Sequence, residues 1–143
     1  MTVLLDTGVL YAHHDRDATR YDAADAAMDA LFDGEFGQPY VTEYVYDEAI
    51  TLTRGRTDFQ AAKALSDRIL GEGSFPSVFE LLHVGRDDFR AAVETWTRYD
   101  DQPLSFTDAS LIATCERRGI DGILSFDSDF DGLVTRYDPA EYQ

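Results

Sequence analysis

Four acidic residues lie where solvation of a surface charge does not account for them. Asp6 directly follows the apolar run "VLL" and Asp127 directly follows "GILSF", so both come where a buried strand would end. Glu48 falls within the apolar stripe of one helical segment, and Asp108 lies at the N-terminal end of such a stripe in another. Carboxylates that converge cannot all ionise unless a cation neutralises them, and Mg²⁺ or Mn²⁺ prefers oxygen ligands. The four acids therefore predict a divalent-metal site.

Three of these acids also have an ordinary structural interpretation. Asp6 is a candidate N-cap for the helix that follows it. A buried salt bridge with an arginine would satisfy Glu48, although a carboxylate on a core-facing stripe favours a functional role. Asp108 in a first turn complements the helix dipole. Since Ser105 or Thr107 can cap that helix equally well, however, Asp108 has no evident structural task.

Alternate aspartates after the last clear strand allow a second interpretation, a self-contained calcium loop. Asp127, Asp129 and Asp131 match the first, third and fifth positions of an EF-hand loop, and Asp138 falls at its last position. That last position normally carries a bidentate Glu, and the segment before the loop is predicted as a strand. Pro139 also opposes an exiting helix. A non-catalytic calcium-binding module is therefore the alternative to the convergent site.

Strands alternate with helices along the chain. This pattern is typical of a three-layer α/β/α sandwich around a mostly parallel central sheet, in which function gathers beyond the carboxyl ends of the strands. The predicted strands are "TVLLD", "QPYVT", "SVFELLHV", "DGILSF" and a shorter one within "GLVTRY". The predicted helices begin near Gly8 and then cover "RYDAADAAMDALFDG", "EYVYDEAITLTR" capped by Thr42, "DFQAAKALSDRILG", "RDDFRAAVETWTRY" and "FTDASLIATCERRG".

The composition indicates one globular domain over residues 1–143. The 28 acidic residues outnumber the 12 basic ones, and Lys63 is the only lysine. We interpret this balance as that of a halophile's cytosolic protein, since molar salt shortens the Debye length to about 3 Å, so it does not exclude a nucleic-acid substrate. The single Cys115 excludes an intrachain disulfide. Because no apolar run spans a bilayer and the N-terminus lacks the basic start of a signal peptide, we predict a cytoplasmic protein without membrane association.

The blocks that carry the four acids resemble the PIN-domain family. "LLDTGVLYA" resembles its opening strand and aspartate, "VTEYVYDEAITL" the helix with its glutamate, and "LSFTDASLIATCERRGIDGILSFDSDF" its carboxyl-terminal block. The resemblance spans nearly the whole chain and is strongest to the VapC-type toxins of toxin–antitoxin pairs. It implies a PIN-like nuclease domain in which Asp6, Glu48, Asp108 and Asp127 bind Mg²⁺ or Mn²⁺ and catalyse RNA hydrolysis. It also implies an RNA substrate, a small antitoxin protein as partner, and a homodimer.

On this interpretation the chain is a metal-dependent endoribonuclease with one or two ions. Asp127 or Glu48 would orient or deprotonate the attacking water, and Thr7 and Thr107 are candidate hydrogen-bond donors to the carboxylates. A PIN-fold RNA-binding regulator without turnover is a further alternative. Four arginines are candidates for phosphate contacts but are equally suited to salt bridges on an acid-rich surface: Arg16, Arg20, Arg54 and Arg56.

Overall fold

The computed structural model describes residues 1–143 and contains one five-stranded sheet in which every neighbouring pair of strands is parallel. The strands are β1 (Thr2–Leu5), β2 (Gln38–Thr42), β3 (Glu80–Leu82), β4 (Gly122–Leu124) and β5 (Arg136–Tyr137). Their order across the sheet is β3-β2-β1-β4-β5. The two predicted strands that end in acids, β1 and β4, are therefore neighbours at the centre of the sheet.

Six α-helices connect and flank the strands, which confirms the predicted α/β/α sandwich. They pack largely as consecutive pairs, α1 with α2, α3 with α4, and α5 with α6, since each pair is joined by a short connection. Their bounds are α1 (Thr7–His14), α2 (Tyr21–Phe32), α3 (Glu43–Arg56), α4 (Phe59–Leu70), α5 (Arg86–Arg98) and α6 (Phe106–Arg118); short 3-10 helices cover Ser128–Phe130 and Pro139–Tyr142.

Apolar runs in the sequence become the buried centre of the molecule. Val3, Leu4 and Leu5 of β1 have no solvent exposure, as expected for a parallel strand covered on both faces. Ile123 and Leu124 of β4 are buried in the same way. These strands join one hydrophobic cluster with the inner faces of the helices. The rigid centre of the sheet is thus what holds the ends of β1 and β4 in place.

Helix ends follow the capping residues of the sequence. Thr42 accepts a hydrogen bond from the backbone N–H of Val45 and begins α3 as predicted. Gly71 and Gly119 end α4 and α6 in the left-handed conformation, with φ of 67° and 66°. None of the helices is both long and apolar enough to cross a bilayer.

The edge strands are shorter than their sequence patterns predict. Within "SVFELLHV" only Glu80–Leu82 pairs, in parallel with β2, and within "GLVTRY" only Arg136–Tyr137 pairs with β4. Each edge strand has a neighbour on one side only, so hydrogen bonds fix fewer of its residues than in a central strand. The apolar runs predicted where the two edge strands lie. The length of each strand depends on how many of its residues pair with the neighbouring strand.

Candidate active site

The first part of the site is built by two neighbouring strands. Leu5 pairs with Leu124, so Asp6 and Ser125 follow the two strands side by side. The Asp6 backbone N–H donates to the Leu124 carbonyl at 3.1 Å, and the Ser125 hydroxyl donates to Asp6 Oδ2 at 2.6 Å. Ser125 Oγ also accepts from the backbone N–H of Asp127 at 2.9 Å. One serine therefore ties Asp6 to the segment that carries Asp127.

Asp6 is also a structural cap, as its ordinary interpretation predicted. Its Oδ1 accepts a hydrogen bond from the backbone N–H of Thr7 at 2.8 Å and begins α1. The two carboxylate oxygens thus each accept one hydrogen bond from a neutral donor. Because each oxygen has two lone pairs, the cap leaves both able to bind a cation as well.

Glu48 is held above the strand ends by two hydroxyls. The Thr7 hydroxyl donates to Oε1 at 3.0 Å, and the Thr107 hydroxyl donates to Oε2 at 3.1 Å. This confirms the prediction that these threonines donate to the carboxylates. The expected core-facing position of Glu48 is wrong, because the residue is exposed and makes no salt bridge to an arginine. Helical spacing identified the face of α3 on which Glu48 lies. It did not show that this face is open to solvent at Glu48.

Asp108 has a structural task that the sequence interpretation did not assign. Ser105 Oγ accepts from the Asp108 backbone N–H at 3.0 Å, and Asp108 Oδ2 accepts from the Ser105 backbone N–H at 3.1 Å. This reciprocal pair is a capping box, here with Asp in place of the usual Glu. The box fixes Asp108 at the start of α6 and leaves Oδ1 without a hydrogen bond from the protein.

The four acids act on one another electrostatically, and we name Asp6, Glu48, Asp108 and Asp127 the acidic cleft. Burial raises the pKa of Asp6 to about 6, hydrogen bonds from Ser125 and Thr7 oppose the rise, and the charges of Asp108 and Asp127 add to it. Burial likewise raises the pKa of Asp108, and the charges of Asp127 and Glu48 contribute in the same direction. Acids from four segments of the chain thus lie within one another's fields.

No basic side chain compensates this charge. The ion pairs of arginine and lysine involve other acids, and none reaches a member of the acidic cleft. An all-oxygen donor set of this kind fits a hard divalent cation. No three of the carboxylates form a ready set of direct metal ligands. Mg²⁺ usually keeps several of its waters and is bound through one or two carboxylates, so the chemistry of this donor set fits it.

The calcium-loop alternative is disfavoured by the contacts of its own aspartates. Asp127 Oδ1 accepts from the backbone N–H of Asp129 and caps a 3-10 helix. Arg136 donates to both oxygens of Asp131 at 2.7 and 3.2 Å, and its Nη1 lies 3.5 Å from Asp138. The acids at the fifth and last loop positions are therefore neutralised by an arginine. Asp131 and Asp138 stabilise the turn, and only Asp127 of this stretch joins the acidic cleft.

Sequence reasoning missed two residues that organise the site. Ser125 follows an apolar strand and looks like an ordinary polar end, yet it contacts both Asp6 and the Asp127 backbone. Arg136 donates to the Ser125 carbonyl at 3.0 Å as well as to Asp131. The sequence did contain a sign of the role of Ser125. Its hydroxyl lies at the end of β4, near the acids that follow β1 and β4, and a hydroxyl there can donate to a carboxylate. Nothing in the local sequence places Arg136 beside it, since that contact depends on the pairing of β5 with β4.

Comparisons with known proteins agree with this geometry. A family model of the PIN domain matches residues 3–134. A VapC ribonuclease of Archaeoglobus fulgidus is 27% identical over 133 residues, covering 91% of this chain and 80% of that protein. The crystal structure of VapC20 from Mycobacterium tuberculosis, a toxin that cleaves the sarcin–ricin loop, has a TM-score of 0.75 and 26% identity, covering 90% of this chain and 92% of that one.

A more distant structure supports the fold alone. A toxin–antitoxin complex from Klebsiella pneumoniae contains a chain with a TM-score of 0.67 at 19% identity, covering 96% of this chain and 97% of that one. The family model thus matches most of the sequence. This match agrees with the parallel sheet, its strand order and the acids at the ends of β1 and β4. The chain belongs to the PIN domain family.

Proposed function

We propose that this chain is a divalent-metal-dependent endoribonuclease and the toxin of a toxin–antitoxin pair. The observation that carries the proposal is that acids from four distant segments act on one another electrostatically and accept hydrogen bonds from neighbouring hydroxyls, with no ion pair to a basic side chain. Such an arrangement is costly in a protein that binds no cation, since carboxylates in one another's fields raise each other's pKa. Strongly perturbed acids in a cleft are also characteristic of catalytic sites.

Similarity to known proteins supports the choice of RNA and of a protein partner. The Archaeoglobus relative is a ribonuclease, and the Mycobacterium structure is that of a toxin that cleaves the sarcin–ricin loop. The Klebsiella structure is a toxin–antitoxin complex. We therefore propose an RNA substrate, a small antitoxin protein as inhibitor, and a homodimer as the assembly. The acid-rich surface supports the further proposal that the protein works at high salt, where its charge of −16 repels RNA little.

The residues that would hold the metal are the four of the acidic cleft. A bound Mg²⁺ or Mn²⁺ supplies polarisation of a phosphoryl oxygen and a lower pKa for water. Asp6 and Asp127 approach from the sheet, Asp108 from the start of α6 and Glu48 from α3. Ser125 holds Asp6, and the two threonines hold Glu48, by hydrogen bonds that restrict the rotamers of these carboxylates.

Glu48 or Asp127 is the proposed base. Both oxygens of Glu48 are oriented by threonine hydroxyls, and the side chain is exposed to solvent, so a water can reach it. The backbone N–H of Asp129 orients Asp127 through Oδ1. In the proposed step the water oxygen bonds to phosphorus while the bond from phosphorus to the leaving ribose oxygen breaks. The attacking water's proton passes to the carboxylate, and the leaving ribose oxygen takes a proton from solvent water.

Removal of one carboxylate tests the proposal. Asp6→Asn and Asp108→Asn each keep the volume of the side chain but remove its charge, so we expect RNA cleavage to fall by roughly 100-fold or more. The measurement is digestion of purified RNA in molar KCl with Mg²⁺, Mn²⁺ or EDTA, and EDTA is expected to abolish cleavage. Thermal unfolding shows whether each variant is folded.

Asp29→Asn is the matched control, because Asp29 is exposed on α2 and its carboxylate makes no ion pair or hydrogen bond. Its activity is expected to equal that of the wild type. Undiminished cleavage by purified Asp6→Asn or Asp108→Asn protein would refute the proposed site. Tight Mg²⁺ binding by the wild type with no cleavage of any RNA would instead favour a non-cleaving RNA-binding protein.

A further inference from the structure

A second cleft begins next to the acidic cleft. It has a volume of about 480 Å³, and its walls include Gly8, Tyr11, Leu52 and two arginines, Arg20 and Arg56. Gly8 is two residues beyond Asp6, and Leu52 is one helical turn beyond Glu48. Leu52 also lines the shallow hollow that contains Glu48 and Thr7. The two hollows thus share a wall residue, and we name the second one the arginine cleft.

The two arginines of this cleft are free of ion pairs. Five basic side chains elsewhere in this acid-rich chain contact carboxylates within 4.0 Å, namely Lys63, Arg98, Arg117, Arg118 and Arg136. Arg20 and Arg56 do not, although Asp17 also lines the cleft. The pKa of Asp15 is lowered chiefly by the hydrogen bond from the Tyr11 hydroxyl and, to a lesser degree, by the charge of Arg56. Both guanidinium groups are exposed, so they can reach a ligand from solvent.

Aromatic rings hold the guanidinium groups in place. The Arg20 guanidinium carbon lies 4.8 Å from the centroid of the Phe126 ring, and that of Arg56 lies 4.9 Å from the centroid of Tyr11. Stacking occupies the face of a guanidinium and leaves the N–H groups at its edge available. Phe126 stands between Ser125 and Asp127, so Arg20 is positioned by the same segment that carries part of the acidic cleft.

We propose that the arginine cleft binds a phosphate of the RNA backbone that is not the one being cleaved. The planar guanidinium of an arginine is a fork of N–H groups that can donate two hydrogen bonds to two oxygens of one phosphate. Stacking on an aromatic ring fixes the orientation of this fork before the ligand binds. Phosphate contacts position a nucleic acid without reading its bases, which is what a nuclease needs to place one phosphodiester over its carboxylates. This inference rests on the proposed ribonuclease function and adds the residues that position the substrate.

Of the four arginines that the sequence made candidates for phosphate contacts, the structure favours two. Arg20 and Arg56 share one cleft beside the acids. Arg54 stacks on the exposed ring of Phe59 at 5.3 Å instead, and Arg16 does not line the cleft. The proposal therefore assigns Arg20 and Arg56 as positioning residues and leaves Arg16 and Arg54 as surface charges.

The test measures RNA binding separately from cleavage. The probe is a short fluorescein-labelled oligouridylate, and its fluorescence anisotropy is followed with Asp108→Asn protein in Mg²⁺, a background in which cleavage is expected to be lost. Arg20→Ala and Arg56→Ala, each added to this background, are expected to weaken binding by about tenfold. The slope of log Kd against log salt is expected to fall by about 0.7, the value for one phosphate contact on a single strand.

Arg90→Ala is the matched control, because Arg90 is exposed on α5 and is neither ion-paired nor part of the cleft. It is expected to leave both affinity and slope unchanged. Arg20→Lys keeps the charge but loses the fork, so it is expected to preserve the slope while recovering only part of the affinity. Thermal unfolding confirms that each variant is folded, and the lysine variant remains informative if Arg20→Ala is not.

Three results would overturn the assignment. The first is that the arginine variants bind the oligouridylate as tightly as Arg90→Ala protein. The second is that the parent Asp108→Asn protein does not bind it. The third is that the variants lose affinity for a partner protein while RNA binding is unchanged, which would assign the cleft to protein recognition. Failure of the ribonuclease proposal is seen separately, as absence of RNA cleavage by the wild-type chain in Mg²⁺ or Mn²⁺.

Discussion

Two groups of aspartates close together in the molecule have opposite electrostatics. In the acidic cleft, burial and neighbouring carboxylates raise the pKa values of Asp6 and Asp108. In the turn that follows, which we name the Arg136 turn (Asp131, Arg136, Asp138), the arginine lowers the pKa of Asp131 by hydrogen bonding. The residue type is the same, so the difference lies in the burial and in the partners that the fold supplies.

The partners indicate what each group of acids is for. Arg136 donates to both oxygens of Asp131, contacts Asp138 and donates to the Ser125 carbonyl, so charge in that turn is balanced within the protein. The acidic cleft receives only neutral donors, namely hydroxyls and backbone N–H groups. Neutral donors orient carboxylates without cancelling their charge. An acid that is oriented but left uncompensated is suited to bind an external cation.

The largest expected effect compares one acid from each group. Asp127→Asn removes a carboxylate of the acidic cleft, and we expect RNA cleavage to fall by roughly 100-fold or more with little change in thermal midpoint. Asp131→Asn weakens the Arg136 turn, and we expect full activity with a small decrease in thermal midpoint. The measurements are cleavage rates at saturating Mg²⁺ and thermal unfolding of both variants.

Because the two aspartates lie only four positions apart, the pair controls for general damage to the loop. Equal loss of activity in both variants would erase the distinction between the two groups. Loss of cation binding in Asp131→Asn alone, measured by titration calorimetry with Ca²⁺, would restore the calcium-loop interpretation.

The sequence alone was enough to predict which elements form and that Asp6 and Asp127 follow strands at one edge of the sheet. Asp6 and Asp127 were expected to meet because each follows a buried strand, and carboxyl ends of parallel strands share one edge of a sheet. The pairing of Leu5 with Leu124 places their segments side by side. This part of the site was predictable because it depends on two periodic patterns and on the general geometry of α/β sheets.

The parts that sequence did not predict depend on tertiary contacts. Helical spacing marked the face of α3 on which Glu48 lies, but not that the side chain would stay exposed. The capping box of Ser105 and Asp108 escaped notice because Asp at the third helical position is less typical of that motif than Glu. The neutralisation of Asp131 by Arg136 depends on β5 adding to the edge of the sheet. Local patterns therefore identify the acids, and only the assembled fold separates structural acids from functional ones.

A smaller effect is expected from the neutral donors of the acidic cleft. Thr107→Val and Thr7→Val each keep the shape of the side chain and remove one hydrogen bond to Glu48. Because the donors orient the carboxylate without ligating the substrate, we expect each variant to lose about tenfold in kcat. The effect is measured by RNA cleavage under single-turnover conditions.

Thr51→Val is the control, since Thr51 lies on the same helix as Glu48 and its hydroxyl is directed to Asp47 at 3.5 Å. Its activity is expected to be unchanged. A serine variant separates positioning from general damage, because Thr107→Ser keeps the hydroxyl that donates to Glu48 and is expected to recover most of the activity. A tenfold loss that Thr107→Ser does not recover would mean that the threonines matter only for packing.

The smallest effect tests the uncompensated charge through stability. The pKa of the Asp6 carboxyl is raised to about 6 in the folded protein, whereas an unfolded chain releases this proton near roughly pH 4. Between these two pH values the folded protein keeps a proton that the unfolded chain has lost. The free energy of unfolding of the wild type therefore falls as pH rises through this window, relative to Asp6→Asn, which has no proton to lose. In EDTA we expect the stability of Asp6→Asn relative to the wild type to rise by about 3 kcal/mol between roughly pH 4 and pH 7.

Added cation should reverse that gain. Mg²⁺ binds the folded wild type through the ionised carboxylates, so it is expected to raise the thermal midpoint of the wild type more than that of Asp6→Asn. Denaturant unfolding at several pH values, with EDTA and with Mg²⁺, measures both effects on the same proteins. A stability difference that is flat in pH and indifferent to Mg²⁺ would mean that Asp6 is a helix cap like any other, and that the acidic cleft differs from the Arg136 turn only in exposure.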